Sequence, residues 1–203
     1  MNIQIAIFDQ LSRAEVLARV LGGRQIARAA NGKPYVRLSS STQAGISFTH
    51  VRQAHRPFSI VAVCDEPQMG IDAEVWPCGK ADPAFLDSVA SAEDQALVTR
   101  ILKTGHDAAR FLWVVKEAAL KASGEVMVDP RDLAVELSQQ GHISVSTARQ
   151  ASAPTPEMRV QVLQLKAGDS DEIVLLAIAF GAKLEPRIVF SESNWALQSI
   201  IVP

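Results

Sequence analysis

The sequence is poor in the features that mark several classes of protein. It has two cysteines in 203 residues, and their spacing suggests neither a zinc site nor a redox motif. Cys64 lies in an apolar run and Cys78 follows a proline, so we interpret them as a core residue and a loop residue. The formal net charge is −2, and the chain lacks a basic run of the kind that binds nucleic acid. We therefore expect no nucleic-acid partner.

Long apolar segments are also lacking, although 48% of the residues are hydrophobic and can form a substantial core. The longest apolar run, at 173–180, is too short to span a bilayer, and residues 1–10 do not have the pattern of a signal peptide. These features predict a cytoplasmic protein with no membrane contact. A Gly-x-Ser-x-Gly element is missing as well, which argues against a serine hydrolase.

Hydrophobic periodicity and turn residues predict a mixture of helices and strands. A helix is expected at 12–21, closed by Gly22 and Gly23, and a chain boundary is expected at 65–67. The residues 148–157 hold two prolines and are predicted to form a flexible loop. The other predicted elements are strands at 35–38, 45–50, 59–64 and 70–75, helices at 83–103 and 107–123, and strands at 133–137, 143–147, 159–165, 173–180 and 187–190.

Two of these elements carry charged residues in an informative pattern. In the strand at 70–75, Asp72 and Glu74 project from one face because side chains alternate. In the helix at 107–123, Glu117 and Lys121 are four residues apart and share the stripe opposite the apolar one. Three carboxylates and a lysine suit a magnesium-bound phosphate, which favours phosphoryl transfer. Taken separately, each pair could instead be an ordinary solvated strand face or surface helix pair.

Four short elements in a fixed order add a family resemblance. They are Gly-Lys-Pro at 32–34, Phe-Thr-His at 48–50, Gly-Ile-Asp-Ala-Glu at 70–74, and the segment from Trp113 to Lys121 with its Lys-Glu pair. With these the sequence resembles the 4′-phosphopantetheinyl transferases, specifically the larger surfactin-synthetase-activating type. One such element occurs by chance, whereas four in family order are specific.

The resemblance implies an α+β fold with two similar α/β halves related by a pseudo-twofold axis. The halves would be residues 1–67 and 68–203, and since both lie in one chain a monomer is expected. Surfactin-type members usually have a longer segment before the first matching helix, so the N-terminal half is expected to be shortened. Arg13, Arg24 or Arg28 would then supply the basic contacts to coenzyme A.

The activity implied by the resemblance is transfer of the 4′-phosphopantetheine arm of coenzyme A to a serine of an acyl or peptidyl carrier protein. Mg²⁺ would be held by Asp72, Glu74 and Glu117. The catalytic residues would be Asp72, Glu117 and Lys121. Lys121 would neutralise phosphate charge, and Glu117 would take the serine proton, directly or through water.

The resemblance also implies which residues bind coenzyme A and which bind the carrier protein. Coenzyme A would be bound by Lys33, Thr49 and His50 together with Lys121, where Thr49 replaces the usual serine and keeps its hydroxyl. Carrier domains present an acidic helix, so a basic rim is expected, with three candidates: Lys103, Arg110 and Lys116. A noncatalytic module that binds coenzyme A or a carrier protein stays open as the alternative.

Overall fold

The computed structural model describes residues 1–9, 11–39, 42–51, 57–76, 82–101, 107–125, 128–147, 157–167, 173–191 and 195–199. The helices are α1 Arg13–Leu21, α2 Pro83–Val89, α3 Ala92–Ile101 and α4 Ala108–Ser123, with a 3₁₀ helix at Pro130–Asp132. The strands are β1 Asn2–Asp9, β2 Ile26–Arg28, β3 Pro34–Arg37, β4 Gln43–Val51, β5 Phe58–Cys64, β6 Met69–Trp76, β7 Leu133–Leu137, β8 Ile143–Thr147, β9 Met158–Ala167, β10 Ile173–Gly181, β11 Arg187–Ser191 and β12 Trp195–Ser199.

The strands form two sheets that repeat one strand order. The first sheet runs β11-β1-β5-β4-β3-β2, and the second runs β6-β10-β9-β8-β7 with β12 paired to β9. If β1–β5 and β6–β10 are each numbered from one to five, both sheets have the spatial order 1-5-4-3-2. Neighbours are antiparallel, except that β11 lies parallel to β1. The protein is therefore a mixed α+β fold built on two sheets.

The two sheets meet where β4 lies beside β6, the edge strand of the second sheet. Ser47 and Thr49 are two residues apart on β4, so their side chains point to the same side. Their hydroxyl oxygens accept hydrogen bonds from the backbone amides of Ile71 at 3.0 Å and Ala73 at 3.3 Å. These four residues form what we call the β4–β6 seam. It satisfies amides that an edge strand would otherwise leave without a partner.

Three groups of buried apolar side chains form the core. The space between the sheets holds Ile3, Ile5, Ile71 and Leu176, and α1 covers the first sheet through Val16 and Leu21. The second sheet is covered on its other face by α4, whose buried residues include Phe111, Leu112, Val115 and Ala119. In the described part of the chain, no helix is long and apolar enough to cross a membrane.

The termini of α1 confirm the expected helix. Ser12 is the N-cap and forms a capping box with Glu15, since each side chain bonds to the other's backbone amide. Gly22 follows the last turn with φ of 53°, a left-handed conformation that glycine adopts without strain.

The single helix predicted at 83–103 is wrong, because the structure has two. The first, α2, ends at Val89, and the next residue, Ala90, has φ and ψ of −120° and 136°, which are extended. The Ser91 hydroxyl then accepts from the Asp94 amide at 3.2 Å, and an Asp94 carboxylate oxygen accepts from the Ser91 amide at 3.0 Å. This reciprocal pair is a helix start, so the chain turns here and begins α3.

Three strands were not predicted: β1, β2 and β12. The alternation of β1 is regular, with Ile3 and Ile5 buried and Asn2 and Gln4 exposed, whereas β2 has only three residues. The predicted boundary at 65–67 falls in the connection from β5 to β6, and β11 beyond it returns to pair with β1. Most of the predicted loop at 148–157 lies outside the described residues.

Gly70 sets how closely α4 approaches β6. A Cβ atom at this position would lie 2.3 Å from the Ala118 carbonyl oxygen and 2.4 Å from the Ala122 amide nitrogen. Both are backbone atoms of α4, so no side-chain rearrangement could relieve the clash. The helix therefore rests directly on the β6 backbone, and this contact brings the polar stripe of α4 beside Asp72.

We expect Gly70→Ala to lower the free energy of unfolding, because α4 must move away from β6. The cost of such overpacking is about 1–3 kcal/mol, measurable by urea denaturation. Gly181→Ala is the matched control, since its added Cβ would find no atom closer than 3.5 Å. Equal stability of the two variants would contradict the assigned close contact.

Candidate functional site

Asp72 is the central carboxylate of the site and is only 6% exposed. Its Oδ1 accepts hydrogen bonds from Lys121 Nζ at 2.7 Å and from Thr49 Oγ1 at 3.0 Å. Its Oδ2 is buried and has no hydrogen-bond partner among the described residues. A buried carboxylate oxygen without a donor is costly, so this atom is suited to a cationic ligand.

Glu74 lies two residues further along the same face of β6. Arg110 Nη1 is 3.5 Å from its Oε2, and Arg110 Nε also binds Asp107, the N-cap of α4, at 3.2 Å. Burial raises the pKa of Glu74, and the neighbouring charge of Asp72 raises it further, although Arg110 and Lys121 act in the opposite direction. The arginine therefore connects this carboxylate to the start of α4.

Glu117 contributes the third carboxylate from α4. Burial raises its pKa, Lys121 lowers it, and the negative charge of Asp72 raises it. Glu74 experiences the charges of Asp72, Glu117 and Lys121 as well. The structure thus brings together the four charged residues that the sequence analysis selected on β6 and α4.

A cavity of about 560 Å³ opens beside these residues, between the β2–β3 hairpin, β4 and α4. Its lining includes the basic side chains Arg28, Lys33, His50 and Lys121 and the carboxylates Glu117 and Glu125. The cations come mostly from the first sheet, whereas Glu117 and Lys121 come from α4. Lys121 lines the cavity and binds Asp72, so it connects the cavity to the carboxylates.

The β2–β3 hairpin is attached to the C-terminal end of α4. Lys33 Nζ donates to the Ala122 carbonyl, and Asn31 Nδ2 donates to the Ser123 carbonyl at 3.3 Å. These contacts satisfy carbonyls that the end of a helix leaves without partners. Burial lowers the pKa of Lys33 to about 8. Sequence analysis missed Asn31, although it immediately precedes the Gly-Lys-Pro element.

The other predicted coenzyme A contacts differ in position. His50 is exposed and lines the cavity, with its Nδ1 2.8 Å from Ser59 Oγ on β5. Thr49 is buried in the β4–β6 seam and points to Asp72 and not into the cavity. Of the candidate arginines, Arg28 lines the cavity, Arg24 is exposed elsewhere, and the Arg13 side chain lies outside the described structure.

The three carboxylates supply the oxygen ligands that a hard divalent cation prefers. As the side chains stand, no three His, Cys, Asp or Glu residues in the described ranges are close enough together to surround a metal ion. Two observations still fit a cation here. Asp72 Oδ2 is buried without a donor from the described residues, and burial together with neighbouring negative charge raises the pKa of both glutamates. An added positive charge would relieve each of these costs.

A sequence model of the 4′-phosphopantetheinyl transferase superfamily matches residues 68–175, just over half of the chain. The chain belongs to this superfamily. The match contains Asp72, Glu74, Glu117 and Lys121, whereas the cavity residues of the first sheet precede it. A comparison with curated proteins gave no significant match.

The prediction that Lys116 lies on a basic surface rim is wrong. Lys116 is fully buried, and its Nζ donates to Asp94 Oδ2 at 2.6 Å, to the Val89 carbonyl at 2.9 Å and to the Pro130 carbonyl at 2.7 Å. All three ammonium protons are used. Asp94 also accepts from the Val135 amide at 3.1 Å, so the pair connects α4 to four neighbouring elements. Lys103 lies outside the described residues.

We expect Lys116→Met to lower the free energy of unfolding by about 3–5 kcal/mol, because Asp94 would stay buried without its cation. Urea denaturation monitored by circular dichroism measures this. Arg131→Met is the matched control: it removes a salt bridge of the same 2.6 Å length to Asp129, but one that is exposed. Exposed pairs contribute about 1 kcal/mol or less. Similar losses in both variants would contradict the structural role of Lys116.

Proposed function

We propose that this protein transfers the 4′-phosphopantetheine arm of coenzyme A to a serine hydroxyl of an acyl or peptidyl carrier protein. Adenosine 3′,5′-bisphosphate is released, and the reaction requires Mg²⁺. The observation that carries this proposal is Lys121, which lines a cavity with basic walls and also binds the buried carboxylate Asp72. A phosphate-rich substrate and a metal-binding carboxylate can meet at this side chain.

We further propose that the chain is of the larger, surfactin-synthetase-activating type. The two sheets would be its two similar halves, divided near residue 67 and related by a pseudo-twofold axis. The shared strand order of β1–β5 and β6–β10 supports this arrangement. Since the first sheet and α4 of one chain together line the cavity, a monomer suffices to form it.

Mg²⁺ would be held by Asp72, Glu74 and Glu117. When bound, it neutralises charge on the pyrophosphate oxygens of coenzyme A. The buried Asp72 Oδ2 supports this assignment, as do the raised pKa values of the two glutamates.

The protein's own side chains bind and orient the reactants. Lys33 and His50 contact the phosphates on the nucleotide side of coenzyme A, and Lys121 neutralises the pyrophosphate. The carrier serine oxygen attacks the phosphorus that bears the pantetheine arm. The bond from this phosphorus to the bisphosphate breaks, and the bisphosphate leaves with the electron pair. Glu117 accepts the serine proton, directly or through a water molecule.

The carrier protein is proposed to dock near the start of α4. Arg110 is about one third exposed there and faces the solvent beside Glu74. Trp113 lies one turn further along, with its ring 6.0 Å from that of Phe85. An arginine close to apolar rings suits the acidic helix that carrier domains present.

The activity itself can be tested by mass spectrometry. Apo carrier protein incubated with the purified chain, coenzyme A and Mg²⁺ should gain the mass of phosphopantetheine, and a parallel sample with a chelator should not. Fatty acid, polyketide and peptide carriers should all be tried. Coenzyme A binding without any mass gain on these carriers would overturn the proposal and favour the noncatalytic binding module.

We expect Asp72→Asn and Glu117→Gln to lower kcat by about a hundredfold to a thousandfold, as is typical when one charge-stabilising group is lost. Glu136→Gln is the control, because Glu136 is exposed on β7 away from the cavity. The rates are read from the same mass assay, with circular dichroism to verify the fold. Turnover near that of the unmodified chain in either site variant would contradict the assigned roles.

A further inference from the structure

Thr49 has an environment that a coenzyme A contact does not explain. It is 5% exposed, and its hydroxyl joins two groups of β6. The oxygen accepts from the Ala73 amide at 3.3 Å, and the hydroxyl donates to Asp72 Oδ1 at 3.0 Å. A threonine hydroxyl has one proton, so donation to Asp72 uses its entire donor capacity.

The geometry gives this hydroxyl a fixed direction. Thr49 is held in β4 by its pairing with β5, and Ala73 is held in β6 by its pairing with β10. A β-branched side chain has few χ1 rotamers, so the hydroxyl cannot swing away without losing both bonds. Since Lys121 binds the same oxygen as Thr49, the orientation of the Asp72 carboxylate is defined by two donors.

We propose that Thr49 is a positioning residue that acts on the metal site through Asp72. By binding Oδ1 it holds the carboxylate with Oδ2 unengaged, and Oδ2 is the atom that a cation would take. Thr49 thereby tunes the affinity for the metal and makes no contact with coenzyme A. The inference rests on the proposed function, because it takes Asp72 as a metal ligand.

Loss of a group that orients a metal ligand typically weakens metal binding or activity by about 10- to 100-fold. We therefore expect Thr49→Val to weaken metal affinity by about this factor, since valine keeps the shape and removes the hydroxyl. Thr49→Ser retains the hydroxyl and should restore affinity close to that of the unmodified chain. Thr49→Ala serves as a second variant without the hydroxyl if the valine variant does not fold.

The primary measurement is binding of Mn²⁺ to the purified chain without coenzyme A or carrier, followed by electron paramagnetic resonance of the free ion. Mn²⁺ replaces Mg²⁺ as a visible probe that accepts the same oxygen ligands. Ser47→Ala is the matched control: it removes the other seam hydroxyl, which accepts from the Ile71 amide, whereas the Asp72 carboxylate is bound by Thr49 and Lys121. It should destabilise the seam and leave Mn²⁺ affinity unchanged.

Four results would overturn the inference. Thr49→Val could bind Mn²⁺ as tightly as the unmodified chain, or Ser47→Ala could weaken binding by the same factor, which would show a general effect of the seam. A kinetic result is decisive as well: if Thr49→Val raises the KM for coenzyme A and leaves the Mg²⁺ requirement unchanged, Thr49 serves the substrate. Failure of the unmodified chain to bind Mn²⁺ would also overturn it, and would refute the metal site before Thr49 is considered.

Discussion

The close approach of α4 to β6 is the contact on which the candidate site depends. It is possible because residue 70 is glycine, so that the backbone atoms of Ala118 and Ala122 rest on the strand. The longer side chains on the same face of β6 as Gly70 have no room between the strand and α4, so they lie at the side of the helix. Asp72 meets Lys121 in this way. The same C-terminal end of α4 is attached to the first sheet through Asn31 and Lys33, so one helix sets the distance between the basic cavity wall and the carboxylates.

Two lysines of α4 show how the same ion pair can serve structure or function. Lys116 and Asp94 are both buried, and every proton of the ammonium group has an acceptor. Such a pair is complete and has nothing left to offer a ligand. Lys121 is about one third exposed, and Asp72, its partner, keeps one buried oxygen that no group in the described part of the chain binds. A protein tolerates an incomplete pair of this kind where a ligand can complete it, which is why we place the chemistry at Asp72 and not at Asp94.

Local spacing was sufficient to predict which charged residues of β6 and α4 share a face of their element. The errors came from contacts that are distant in sequence and from judging a residue by its type alone. The alternation around Asp72 and the four-residue spacing of Glu117 and Lys121 follow from strand and helix geometry alone. Lys116 was assigned to the surface because it is a lysine, although it follows Leu112 by four residues and precedes Ala119 by three, both on the buried stripe. The role of Thr49 depends on β4 lying beside β6, a tertiary contact that no local pattern encodes.

The repeated strand order raises the question of why the chain has one candidate site and not two. In this order β1 of the first sheet corresponds to β6 of the second. Both edges of β1 are paired, with β5 on one side and β11 on the other, so neither edge is open to hydroxyl side chains. One edge of β6 faces β4, and Ser47 and Thr49 bind its amides there. The sequences of the two strands differ as well. Asp72 and Glu74 of β6 alternate with buried apolar residues, and the β1 residues in the equivalent positions are Gln4 and Ala6. Pairing with β11 therefore closes the second edge of β1 and leaves β6 as the strand at which the two sheets can form a joint site.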